Sequence, residues 1–183
     1  MTAYGIVGGP CSGKTTLIRE IRKILDLAVV NEYATEFIRK TGGIRKPTDQ
    51  LHISMVQKER ERVLRNKREP FITECTLFTC LFYHAENFPE TVRDMYDGFF
   101  DMESGYETLF WLEHLGFYEP NGVRYQKDVD EAQRIGEDLY REACRSARTV
   151  HIIPAQPVED RVRLVLQHLG VPKKRMIQAG HRC

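Results

Sequence analysis

Long hydrophobic runs are missing from this sequence. No apolar stretch approaches the ~20 residues that a membrane-spanning helix needs, and the first residues carry no basic-then-apolar leader. Cysteine is sparse. The five residues (Cys11, Cys75, Cys80, Cys144, Cys183) are scattered, odd in number and without a C-x-x-C pair. That pattern excludes a disulfide scaffold and offers no zinc-ligand spacing, so free thiols in a reducing, cytoplasmic setting are expected. Net charge is nearly absent too: 27 Lys and Arg against 26 Asp and Glu leave +1, which exerts no global pull toward nucleic acid or membrane. No repeat, low-complexity tract or linker breaks the 183 residues. An apolar content of 42% suits one domain, residues 1–183, with a full core.

What is present begins at residue 4, in the stretch "YGIVGGPCSGKTTLI". It contains G-x-x-x-x-G-K-[ST] as Gly8, Gly13, Lys14 and Thr15. A short apolar run, Tyr4–Val7, precedes the loop, and Leu17, Ile18, Ile21, Ile24 and Leu25 follow at helical spacing. Strand, glycine turn and helix start are the context this motif requires. Glycines let main-chain N–H groups turn inward, and the helix adds its unpaired N–H groups and positive dipole end. The loop Gly8, Gly9, Pro10, Cys11, Ser12, Gly13, Lys14, Thr15 and Thr16 therefore reads as an ATP-binding anion cradle. Lys14 would reach the β- and γ-phosphates, and the Thr15 hydroxyl would bind Mg²⁺. Cys11 needs only to be small.

Short strands then alternate with amphipathic helices, which predicts an α/β fold with a mostly parallel sheet covered on both faces. Strands are expected at Tyr4–Val7, Ala28–Val30, Phe71–Thr73, "ETLFWLEH" and "TVHIIPA". Helices are expected from Lys14 to about Asp26, Thr48 to Lys67, over two stretches after the third strand, Asp128–Ala147 and Val158–Leu169. The second of those two stretches starts near Pro89 and carries Val92, Met95, Tyr96, Phe99 and Phe100 on one face as core or pocket wall. Five strands with helices between them suit the three-layer P-loop NTPase fold of nucleotide kinases, with a helical lid over about 116–148 and a basic tail over 171–183.

In open sheets of this kind ligands bind beyond the carboxyl ends of the strands. Three acids stand there. Glu32, after "AVVN", could orient an acceptor hydroxyl or take its proton, or else cap the next segment. Glu74, after "FIT", could hold the metal's water shell opposite Thr15, with Glu113 a rival for that role. Arg124, at the turn after "EPNG", is a candidate lid contact. Lys127, Arg134, Arg141 and Arg148 recur every seven residues with Arg145 beside them, so they share a helical face. That stripe either closes on phosphate or forms surface pairs such as Glu137–Arg141 and Glu131–Arg134. "QKERERVLRNKRE" reads as a solvated face, from which Gln57 and Arg60 could reach an acceptor.

With "IVGGPCSGKTTL", "VVNE", "FITE", the "GVRY" turn and "VHIIP", about the first 170 residues resemble a P-loop kinase-like family. This is an AAA-type ATPase domain related to the nicotinamide riboside kinase domain of bifunctional NAD-biosynthesis proteins. The resemblance implies a phosphotransferase using ATP or GTP, with Gly8–Thr16 on the triphosphate, Glu32 near the acceptor, Glu74 near Mg²⁺ and Arg124 in the lid. Relatives often carry an arginine where this chain has Thr35, and Asp-Arg where it has Glu74-Cys75. Phage kinases that phosphorylate hydroxymethyluracil in DNA look similar in size and layout, and Arg45-Lys46 and Lys173–Arg175 would suit DNA. The implied partners are thus a nucleoside triphosphate and a hydroxyl-bearing acceptor, either a nucleoside-like small molecule or a DNA base. A GTPase needs N-K-x-D after a late strand; the near match "NKRE" precedes the third. An ATPase motor would need room for a further helical domain.

Overall fold

The computed structural model describes residues 2–91, 105–120 and 126–171. Five strands, β1 (Ala3–Val7), β2 (Ala28–Val30), β3 (Phe71–Thr73), β4 (Tyr106–Leu112) and β5 (Ala147–Ile153), form one sheet in the order β2-β3-β1-β4-β5. All four pairings are parallel, with Tyr4 opposite Ile72 on one side and Thr108 on the other. The chain leaves β1 for the edge strand β2, returns through β3, then crosses to β4 and β5. The turns after β1, β2 and β3 therefore open onto one crevice.

Successive side chains on a strand point to opposite faces, and the core divides accordingly. Ile6, Ile72, Phe110, Leu112 and Ile153 face one layer, where they meet Leu17, Ile18 and Ile21 of α1 (Lys14–Ile24) and Val162, Val165 and Leu166 of α6 (Val158–His168). Ala3, Val7, Phe71 and Leu109 face the other, against Ile135, Leu139 and Ala143 of α5 (Val129–Ser146). Beside α5 lie α3 (Pro47–Lys67) and α4 (Leu77–Asn87), so the protein has three layers.

One element was not foreseen. Tyr33–Thr41 forms a helix, α2, with Glu32 at its N-cap and Gly42 closing it at φ 80°. None of its nine residues is fully buried, and the Gly42-Gly43 stop signal marks its end. Helix α3 starts one residue before its expected position. Pro47 sits at its first turn, and the Asp49 carboxylate accepts from Arg45 N at 3.0 Å and Lys46 N at 3.2 Å. The expected helix beyond Pro89, with Val92 through Phe100, lies outside the described residues apart from a 3₁₀ turn at Pro89–Thr91. Arg124 and the tail Lys173–Arg175 also lie outside them, as does the Arg148 side chain. Among the described residues no helix is long and apolar enough to cross a membrane.

Candidate active site

The loop after β1 is shaped by two left-handed residues, Cys11 at φ 59° and Gly13 at φ 85°. Gly13 is also the N-cap of α1, so the helix opens at the loop with its first N–H groups outside the intrahelical ladder. Gly9 is required for packing. A Cβ there would stand 2.5 Å from Ala132 O of α5, so the loop rests main chain on main chain against that helix. The Cys11 sulfur accepts the Glu119 N–H at 3.3 Å, tying the loop to the segment after β4.

Lys14 lies along the loop, its Nζ donating to Gly8 O at 2.8 Å and Gly9 O at 2.9 Å. The Thr15 hydroxyl donates to Glu74 Oε1, and the Glu74 main-chain N donates to Val30 O at 2.9 Å. The third strand therefore delivers a carboxylate onto the hydroxyl that follows Lys14. Glu113 goes elsewhere: its carboxylate accepts from Ala155 N at 3.0 Å, at the turn after β5. Glu32 accepts from Thr35 Oγ1 at 2.7 Å, and its side chain makes no capping bond to α2. Beside Lys14, His114 is held below its ordinary pKa by burial and then by the lysine charge.

Glu32, Glu74 and the loop all line one cavity of about 640 Å³. From the loop it runs between α2, α3 and α4, where Ile38, Ile53 and Tyr83 give it apolar walls. Gln50 and Gln126 also line it, and both are buried with an amide oxygen that no protein group bonds. The Gln50 nitrogen donates to Cys80 O at 3.5 Å, and its oxygen is buried with no partner among the described residues. Cys75 and Cys80 line it as well, with sulfurs 3.6 Å apart. That contact and burial push the Cys75 thiol well above its ordinary pKa.

The helix read as a solvated face is amphipathic in an unusual way. Gln50, Ile53, Ser54, Gln57 and Glu61 form its buried stripe, which hydrophobic periodicity cannot detect because four of the five are polar. Gln57 and Arg60 do not line the cavity; they position what does. Gln57 accepts from Tyr33 N at 3.1 Å and donates to Cys75 O at 3.1 Å, joining the start of α2 to the end of β3. Arg60 grips Glu36 with two bonds of 2.8 Å and reaches Asn31 O at 3.3 Å. Glu61 takes the buried Tyr106 hydroxyl at 2.8 Å, and burial pushes its carboxyl above the ordinary range.

Of the expected basic stripe, Arg134, Arg141 and Arg145 sit on α5, whose Ile135, Leu139 and Ala143 face the sheet; Lys127 precedes the helix and Arg148 falls in β5, because the chain turns to strand at Ala147. Arg134 pairs with Glu86 at 2.7 Å and Asp138 at 2.9 Å, Arg141 with Asp138 and with Glu137 at 4.0 Å, and Arg145 with Glu142 at 2.5 Å. Glu131 accepts instead from Lys127 N at 2.7 Å.

A phosphate loop at the centre of a β2-β3-β1-β4-β5 parallel sheet, with an acid at the next strand's end, defines the fold of P-loop nucleotide kinases. A family model described as an AAA domain matches residues 3–161, and the chain belongs to that family. Among solved structures it is similar to deoxyadenosine kinase from M. mycoides with bound dATP. There the TM-score is 0.63 at 14% identity, covering 92% of this chain and 100% of that one. The same enzyme with dCMP and dCDP gives 0.64 at 14% identity over 93% and 100%. No protein of curated function matches the sequence at a significant level.

Proposed function

We propose that the chain is an ATP-dependent phosphotransferase that moves the γ-phosphate onto a hydroxyl of a nucleoside-like small molecule. One observation carries this reading: a single cavity has the loop residues Pro10–Thr16 at one end and Glu32 beside a pocket walled by α2, α3 and α4. A motor needs no second pocket, whereas a kinase must hold donor and acceptor in line. The cavity volume of about 640 Å³ lies in the range of small-molecule sites, roughly 300–1,000 Å³.

In this reading Lys14 leaves the Gly8 and Gly9 carbonyls for the β- and γ-phosphates while loop N–H groups hold the triphosphate. Thr15 and Glu74 fit Mg²⁺: two hard oxygen donors already converge, and magnesium needs only one or two protein carboxylates beside phosphates. When bound there, the ion neutralises phosphate charge. Glu32 orients the acceptor hydroxyl and takes its proton, and Arg124 closes the lid. Apolar walls, with Gln50 and its partnerless buried oxygen among the lining residues, suit a flat ring whose edge N–H could bond that oxygen once the side chain turns. The fold relative is a deoxyadenosine kinase captured with dATP and with dCMP, which supports a nucleoside-like acceptor.

The test supplies γ-labelled ATP and Mg²⁺ with three separate acceptor pools: free nucleosides and nucleotides, nicotinamide riboside, and hydroxymethylated DNA. Label is expected in a small-molecule pool. Label in the DNA would move the acceptor to a modified base, and label released only as inorganic phosphate would replace the kinase with a motor.

A further inference from the structure

Arg161, in the first turn of α6, is 2% exposed, yet among the described residues no acidic side chain forms an ion pair with it. Its acceptors are main-chain carbonyls. Nη1 donates to Ser12 O at 2.6 Å, Nη2 to Glu113 O at 2.6 Å and Ile153 O at 3.5 Å, and Nε to Pro154 O at 2.8 Å. The carboxylate whose charge acts on it, that of Glu113, accepts from Ala155 N. Taking a guanidinium out of water costs several kcal/mol, and an ion pair is the usual compensation. Here no ion pair forms among the described residues, the Glu113 charge acts only at a distance, and the guanidinium sits directly behind the loop. A Cβ on Gly13 would come within 3.1 Å of Nη1.

The contact with Ser12 has a consequence across one peptide bond. The chain has no cis peptide, so the Ser12 C=O and the Gly13 N–H point in opposite directions. Fixing the carbonyl on Arg161 therefore turns the Gly13 N–H away from Arg161, to the other side of the loop. The same fork joins the loop to the ends of β4 and β5, so three separate chain ends share one rigid, planar donor.

We propose that Arg161 is the positioning residue of the phosphate loop. Its fork holds the Ser12 carbonyl outward, so that the Gly13 N–H faces a bound polyphosphate, and its positive charge adds to the field at that site. The inference rests on reading the loop as a triphosphate site. It assigns part of the affinity to a residue 149 positions away in sequence.

The experiment compares the native chain with Arg161→Lys, which keeps the charge but loses the fork, and Arg161→Ala with and without millimolar methylguanidinium. Calorimetry uses Mg·ATP and inorganic tripolyphosphate as probes, and NMR of glycine-labelled protein follows the Gly13 amide. Both variants should bind both probes about tenfold to a hundredfold more weakly, as for a lost hydrogen bond from a charged donor. The Gly13 resonance should move, and methylguanidinium should restore affinity to Arg161→Ala while leaving the native chain unchanged. A residue that merely staples strands together would lower the melting temperature without that rescue. Arg161→Lys binding within twofold of native, with Gly13 unmoved, would overturn the proposal and leave the kinase reading standing. Uptake of neither probe by the native chain would end the kinase reading, and the Gly13 resonance would still decide whether the clamp exists. Should Arg161→Ala not fold, Arg161→Lys alone carries the decision.

Discussion

At the nucleotide end of the cavity the wall is main chain: a glycine turn, two left-handed residues and a helix start, with Lys14 and Thr15 as its chemical side chains. At the far end the wall is side chains carried on α2, α3 and α4, many of them polar and held by one another. A backbone cradle constrains the sequence at fixed spacing, because only certain residues permit its geometry. A side-chain pocket can be built from many residue types in many orders. The first leaves a motif; the second does not.

The largest expected effects separate the two ends. Lys14→Ala should lower phosphoryl transfer by about 10²–10³ and weaken Mg·ATP binding measurably in calorimetry. Glu32→Gln should abolish transfer as well, because the amide cannot take the hydroxyl proton, a contribution of about 10²–10⁴. Its ATP affinity should stay within a few-fold of native. An equal loss of ATP binding in both variants would erase the distinction between the ends, and full activity of Glu32→Gln would put the base elsewhere.

Two glutamines on one helix sharpen the comparison further. Gln57 satisfies Tyr33 N and Cys75 O, so Gln57→Leu strands buried groups and should cost about 1–3 kcal/mol in thermal unfolding. The Gln50 oxygen has no protein partner. Gln50→Leu should therefore be near neutral in stability and instead raise the KM for an N–H-bearing nucleoside acceptor. The reverse pattern would make Gln50 a structural residue and remove the edge N–H from the proposed acceptor.

These residues also show what the sequence could disclose. The strand Phe71–Thr73 and the helix Lys14–Ile24 were legible because apolar period and glycine punctuation coincide there. Glu32 and Glu74 were legible from their position after strands. Helix α2 was not, since its nine residues are too few to hold a long periodic pattern between a strand and a glycine loop. Gln57 and Glu61, within "QKERERVLRNKRE", looked like solvated surface because burial of polar groups depends on partners from distant elements, and Gln50 gave no signal at all. Arg161 resembled any charged residue on an amphipathic helix; only the fold brings Ser12, Glu113 and Pro154 around it.

The smallest effect is expected on α5. Arg145 is 71% exposed and pairs with Glu142 three residues away, an arrangement worth about 0.2–1 kcal/mol at most. Arg145→Ala should accordingly shift unfolding by less than that and leave Mg·ATP affinity and transfer rate unchanged. A residue that closed on the transferring phosphoryl would behave otherwise, because a lost donor there costs about 10²–10³ in rate while barely touching stability. The two readings of the basic stripe thus predict opposite signatures from one substitution. With Arg134, Arg141 and Arg145 all engaged by carboxylates, a guanidinium would have to break a local pair to reach phosphate. The near-silent outcome is therefore the one the geometry favours, and it would leave Arg124 as the lid arginine to test next.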